Sequence, residues 1–104
     1  MTIEEVKYLN ETEDKVELKK AETQFNYKNG RKSVLGYVVA LANEGGGKLI
    51  LGVNEKKPPP HEITGTKAWK DKLGKLKQDI YRDLKIRVET EEIYDNDKRV
   101  LIIH

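Results

Sequence analysis

The chain has 104 residues, 37% of them charged and 37% hydrophobic, with a formal net charge of +2 and no cysteine. That length carries one domain with one modest core, and the missing cysteines exclude disulfides and thiolate metal sites. No apolar run is long enough to span a bilayer, and Met1–Leu9 carries Glu4 and Glu5 where a signal peptide needs an apolar stretch, so a cytoplasmic address is the default.

In chain order, Thr2-Ile3-Glu4-Glu5 has the form of a capping box and predicts a short helix to about Leu9, with Ile3, Val6 and Leu9 facing the body. Asn10 to Lys15 is polar and reads as loop. Val16-Glu17-Leu18-Lys19 alternates apolar and charged and predicts a first strand. Ala21 to Gly30 is polar with two aromatics, Phe25 and Tyr27, and closes on the turn signal Asn29-Gly30. Lys32 to Asn43 predicts a helix, because Val34, Val38, Leu41 and Ala42 fall on one face at a 3.6 period. Asn43 is a polar stop, and Gly45, Gly46 and Gly47 allow the positive φ with which helices commonly end. Leu49, Ile50, Leu51 and Val53 run on without alternation, as in a central strand covered on both faces.

Beyond that strand, Pro58-Pro59-Pro60 favours extended polyproline conformation, and Ile63-Thr64-Gly65 fits a short edge strand or loop. Thr66 is a plausible N-cap for a long helix to about Leu84. Its apolar positions Trp69, Leu73, Leu76, Ile80 and Leu84 recur at helical spacing, and its other face is rich in lysine. Ile86 to Tyr94 predicts a strand, Asp95-Asn96-Asp97-Lys98 a hairpin turn, and Arg99 to His104 the internal return strand. The order α-β-α-β-α-β-β implies an α/β (α+β) domain built as a two-layer sandwich with a mixed sheet. Trp69, Leu73, Leu76 and Ile80 are expected to bury against that sheet with Val38, Leu41, Ile50 and Val100.

Charge is unevenly spread. Residues 1–27 sum to −3, 28–65 to +3, 66–87 to +5 and 88–104 to −3. A basic middle between acidic ends attracts a polyanion, although a lysine-rich helix face is equally what a merely solvated surface looks like. The triple glycine invites a phosphate-loop reading, but a Walker loop places its glycines before a helix and follows its lysine with Ser or Thr. Here the glycines follow a helix, whose C-terminal dipole repels anions, and Lys48 is followed by Leu49. A tight corner formed by Asn43, Gly45, Gly46 and Gly47 is the better reading. Glu11, Glu13, Glu17, Glu44 and Glu55 are candidate ligands for a hard cation only if the fold gathers them. His61 and His104 lack partners at metal-ligand spacing.

Taken together, Val16-Glu17-Leu18-Lys19, Ala40-Leu41-Ala42-Asn43-Glu44-Gly45-Gly46-Gly47, Leu49-Ile50-Leu51-Gly52-Val53 and Ile63-Thr64-Gly65 resemble the Schlafen AlbA-type domain. The family reads E-x-x-x-x-E-F-K, then A-x-A-N-x-x-G-G, then a hydrophobic strand ending G-V-D-D, then I-x-G. The local wording is most similar to the N-terminal module of RecG-related predicted ATP-dependent helicases and transcriptional regulators, many of which carry an ATP-binding label. The resemblance implies an AlbA-like fold over residues 1–104, cut from a longer protein whose C-terminal remainder would be one partner. It also implies DNA or RNA as ligand. Candidate phosphate contacts are Lys19, Lys20, Arg31, Lys32 and Lys48 near the motif, and Lys67, Lys70, Lys75 and Lys77 in the basic segment, with Phe25 and Tyr27 as possible base-stacking rings. In animal Schlafens a related domain cleaves RNA with three acidic residues. Glu17 matches the second, Thr12 stands where the first belongs with Glu11 and Glu13 beside it, and Asn54 stands at the third with Glu55 beside it. Metal-dependent cleavage through Glu17, Glu13 and Glu55 with Mg²⁺ or Mn²⁺ is therefore one alternative, and a nucleotide-binding or protein-interaction module is another, which lysines dispersed over several faces would favour. The expectation is a binding domain without catalysis or cofactor of its own, whatever ATPase the parent protein holds.

Overall fold

Residues 1–104 are described by a computed structural model, with elements in the order α1 (Ile3–Lys7), β1 (Val16–Lys19), α2 (Val34–Asn43), β2 (Lys48–Leu51), β3 (Val53–Asn54), β4 (Glu62–Ile63), α3 (Leu73–Leu84), β5 (Thr90–Asp95) and β6 (Lys98–Ile103). The apolar run Leu49–Leu51 lies inside a four-stranded mixed sheet of order β1-β2-β6-β5. β1 is parallel to β2, with Leu18 opposite Ile50, while β6 is antiparallel to both β2 and β5. Side chains alternate across the sheet. Leu49, Leu51, Leu101 and Ile103 pack with Val34, Val38 and Leu41 of α2 and with Leu76 and Ile80 of α3. This is the expected sandwich of helices on a mixed sheet. Val16, Leu18, Ile50, Val100 and Ile102 point the other way, where Val6 of α1 and Val53 and Ile63 of the small β3–β4 ribbon cover them. Both faces being covered is why β2 carries no polar alternation. A leucine as fully buried as Leu76 carries about 2–5 kcal/mol against truncation to Ala.

The capping box forms as the sequence implies: Thr2 Oγ1 accepts from Glu5 N at 3.1 Å, and Thr2 N donates to the Glu5 carboxylate at 3.0 Å. α2 starts at Val34 because Ser33 caps it, its Oγ accepting from Gly36 N at 3.0 Å. Val34, Val38 and Leu41 are buried as expected, whereas Ala42 is exposed. The helix ends at Asn43, and the glycine corner turns the chain with Gly45, Gly46 and Gly47 all at positive φ. Gly46 N donates to Leu41 O at 2.8 Å, and Lys15 Nζ donates to the free carbonyl of Glu44 at 3.1 Å. At Gly47 a Cβ would collide with the Lys15 carbonyl and with Leu41, so the corner can pass beneath β1 only as glycine.

Three expectations are corrected. The long helix begins at Leu73, not Thr66. Trp69 and Asp71 adopt φ of 51° and 62°, which no α-helix accommodates, and residues 66–72 are irregular around a turn at 68–71. Thr66 leads only into that turn, its Oγ1 accepting from Ala68 N at 3.1 Å. Trp69 and Leu73 are consequently half-buried at the rim, while Leu76 and Ile80 reach the core. Second, residues 86–89 lie outside the sheet and β5 starts at Thr90, since β6 ends opposite it at Ile103. Third, the triple proline does not run straight: the chain bends at residues 57–59, and the peptide bonds Lys57–Pro58 and Pro59–Pro60 are cis. No helix is long and apolar enough to cross a membrane.

Candidate nucleic-acid interface

β1 and the turn before it build one candidate region. Asn10 Oδ1 accepts from the backbone of Thr12 and Glu13, each at 3.0 Å, which curls the segment and turns Glu11 toward the sheet. The Glu11 carboxylate then accepts from Leu18 N at 3.2 Å. Glu55, reaching in after β3, stands against Glu11. A hydrogen bond to that carboxyl, with burial and its charge, holds the Glu55 carboxyl above the usual range. Glu17 lies on β1 and pairs with Lys19, whose Nζ is 3.7 Å away and 5.1 Å from the centre of the Tyr37 ring. Burial works against the charged form of Lys19, but Tyr37, Glu17 and Glu11 outweigh it and its ammonium titrates above an ordinary lysine. Glu13 and Thr12 stay exposed in the turn. Of the three acids expected to serve cleavage, Glu17, Glu13 and Glu55, the fold joins Glu55 to Glu11 and ties Glu17 to Lys19. No three His, Asp or Glu side chains gather at metal-ligand spacing. His61 is also accounted for: buried, it accepts from Lys56 N at 3.0 Å through Nδ1 and meets Leu9 O at 2.7 Å through Nε2, clamping α1 to the proline segment.

A second region lies in front of α3. Thr23, Gln24 and Phe25 form one wall and Lys67, Trp69, Lys70 and Lys72 the other, around a cleft of about 300 Å³ with no acidic residue in its lining. An adjoining cleft of about 410 Å³ shares Thr23, Lys67 and Lys70 and adds Lys98 and Arg99, with Glu22 and Asp97 as its acids. Arg99 is buried and organises this corner. Its Nη1 donates to Thr66 O at 3.2 Å and to Ala68 O at 2.8 Å, and its Nε donates to Glu92 Oε2 at 2.6 Å. Lys67 N donates to Glu22 O at 2.9 Å, tying the same loop to the segment after β1.

The nine basic candidates do not form one patch. Lys67 and Lys70 share the two clefts before α3. Lys75 is exposed and paired with Asp79 at 2.8 Å, and Lys77 lines a separate cleft with Tyr81 and Arg87. Lys19 is held by Glu17, and Lys20 lies 3.3 Å from Glu22. Lys48 is half-buried at the start of β2, and Arg31 and Lys32 are exposed before α2. Tyr27 is engaged. Its hydroxyl donates to Asp83 at 2.7 Å, and burial with that carboxylate raises its pKa well above an ordinary tyrosine. Arg82 and the Tyr27 hydroxyl together lower Asp83 to about 2. Phe25 stacks on Tyr37 with ring centres 6.2 Å apart. Sequence reasoning misses Arg99, whose one signal is a lone charge opening an apolar return strand. It also puts Trp69 in the core.

Against known proteins, the sequence model of the Schlafen, AlbA_2 family matches residues 12–104. In three dimensions the chain is similar to the DIP2311 protein from Corynebacterium diphtheriae, with a TM-score of 0.59 and 23% identity over 88% of this chain and 20% of that one. It is likewise similar to the N-terminal domain of an ATP-dependent DNA helicase RecG-related protein from Nitrosomonas europaea, with a TM-score of 0.59 and 23% identity over 98% of this chain and 68% of the other. At that identity the likeness is one of fold. The chain spans about one fifth of the first of these proteins. No curated protein matches it.

Proposed function

The chain belongs to the Schlafen, AlbA_2 family, and from that premise we propose that it binds nucleic acid, DNA foremost, as an accessory module of a RecG-related helicase or transcriptional regulator. The observation that carries the proposal is the concentration of charge. Residues 66–87 sum to +5, and Lys67 and Lys70 stand together at two adjoining clefts. Lysines on phosphates give affinity without reading sequence, and each contact releases condensed counterions, so binding weakens steeply as salt rises. Lys67 and Lys70 are the leading contacts, because neither is spent in an ion pair as Lys19 and Lys75 are. The remaining candidates, Lys20, Arg31, Lys32, Lys48 and Lys77, add long-range attraction to the same polyanion.

Titration of dye-labelled single-stranded DNA, duplex DNA and RNA at two salt concentrations tests the proposal. Different sequences should bind about equally. Lys67→Glu combined with Lys70→Glu should weaken all of them and flatten the salt slope by about two, one for each phosphate no longer neutralised. Affinity that is absent at low salt, or indifferent to salt and to the double substitution, overturns the proposal.

A further inference from the structure

We infer that the cleft between residues 23–25 and 67–72 is a stacking pocket for one unpaired nucleobase, with Trp69 as its platform and Lys67 and Lys70 on the flanking phosphates. The inference rests on the nucleic-acid-binding reading and names the form of ligand that this side of the molecule takes: a single strand. Three observations converge on it. Trp69 is half-buried: it packs on the rim of the core and at the same time lines the cleft. Its backbone is held at φ 51°, followed by Asp71 at 62°. A bulky residue at positive φ is a genuine outlier, and such conformations persist where the surroundings over-determine them, typically at ligand clamps. Here the surroundings are explicit. Arg99 grips the carbonyls of Thr66 and Ala68, Lys67 N holds Glu22 O, and Lys72 N donates to Trp69 O at 3.0 Å.

The lining supplies the remaining chemistry. Thr23 and Gln24 offer hydrogen bonds to a base edge, and three lysines stand around a cavity of about 300 Å³ without an opposing carboxylate in its lining. Every base has a π face, so an indole beside lysines binds a single strand with little regard for sequence. A duplex hides those faces in its own stack and gains nothing from Trp69. The unpaired choice follows from the platform, not from the charge, which attracts both forms.

Trp69 is the only tryptophan in the chain, so its emission reports this cleft alone. The experiment follows the emission of the whole chain while a short oligothymidylate, a duplex of equal length or adenosine monophosphate is added, with anisotropy of a labelled strand measured in parallel. The single strand should quench the emission as it binds, and the duplex should bind without quenching. The mononucleotide, lacking the neighbouring phosphates, should leave the emission unchanged at the same nucleotide concentration. Trp69→Leu, which keeps apolar bulk without a π face, should weaken single-strand binding roughly tenfold. Trp69→Phe should retain most of it, with melting curves confirming that both variants fold. Binding seen by anisotropy with unchanged emission overturns this inference and leaves the nucleic-acid reading standing. No anisotropy change with any nucleic acid overturns both. Equal quenching by duplex or mononucleotide, or wild-type affinity in Trp69→Leu, overturns the single-strand pocket.

Discussion

The cleft before α3, of about 300 Å³, and the larger cleft beside β1, of about 480 Å³, are lined by opposite charge. The first offers Lys67, Lys70 and Lys72 around Trp69. The second offers Glu11, Glu17 and Glu44 against Lys15 and Lys57. Of the residues that carry the family pattern, Glu17 and Glu44 line the second cleft and Glu17 is paired with Lys19, whereas Thr64 and Gly65 line the basic cleft that adjoins the first. The strongest positive charge lies on residues that the pattern does not reach. The family's hallmark positions thus build the sheet and its corner here, and the capacity to attract a polyanion sits on the neighbouring loop.

Breaking the glycine corner should cost stability before it costs binding. Gly46 stands at φ 115° with open space around a would-be Cβ, so Gly46→Val probes backbone strain alone. It should destabilise the domain by about 1–3 kcal/mol, seen as a lower midpoint in urea unfolding, while folded molecules bind nucleic acid as before. An unchanged midpoint would show that the corner does not depend on that conformation, and would turn attention to its backbone N–H groups as ligand contacts.

A smaller effect sharpens the contrast from the other direction. Glu17→Gln removes a negative charge from the acidic side and leaves the lysines before α3 untouched. Binding should stay the same or tighten slightly, and adding Mg²⁺ or Mn²⁺ should yield no cleavage products in either protein. Thr12 and Asn54 are poor substitutes for carboxylates as ligands of a hard cation, and no three acidic side chains gather at metal-ligand spacing. Metal-dependent cleavage abolished by Glu17→Gln would instead establish the acidic cleft as an active site.

Much of this fold is legible in the sequence, for reasons visible in particular residues. The capping box at Thr2, the alternation in β1, the helical period of Val34, Val38 and Leu41, and the unbroken run Leu49–Leu51 are local signals that tertiary packing agrees with. The segment from Thr66 to Lys72 misleads because Trp69 and Leu76 do sit at helical spacing. What breaks the helix is distant: carbonyls of Thr66 and Ala68 held by Arg99, from β6. A hydrogen bond across more than thirty residues leaves no trace in local periodicity. The same limit hides the Glu11–Glu55 contact, which depends on how the turn at Asn10 curls. Spacing points equally to Glu13, and the fold selects its neighbour.

Backbone amide NMR during titration with a short single strand tests most directly where nucleic acid sits. The arrangement described here predicts the largest shift changes at residues 23–25 and 67–72, with the indole N–H of Trp69 among the most affected, and small changes at Glu11, Glu17 and Glu55. Changes centred on Glu17 and the glycine corner, with Lys67, Trp69 and Lys70 unmoved, would contradict it.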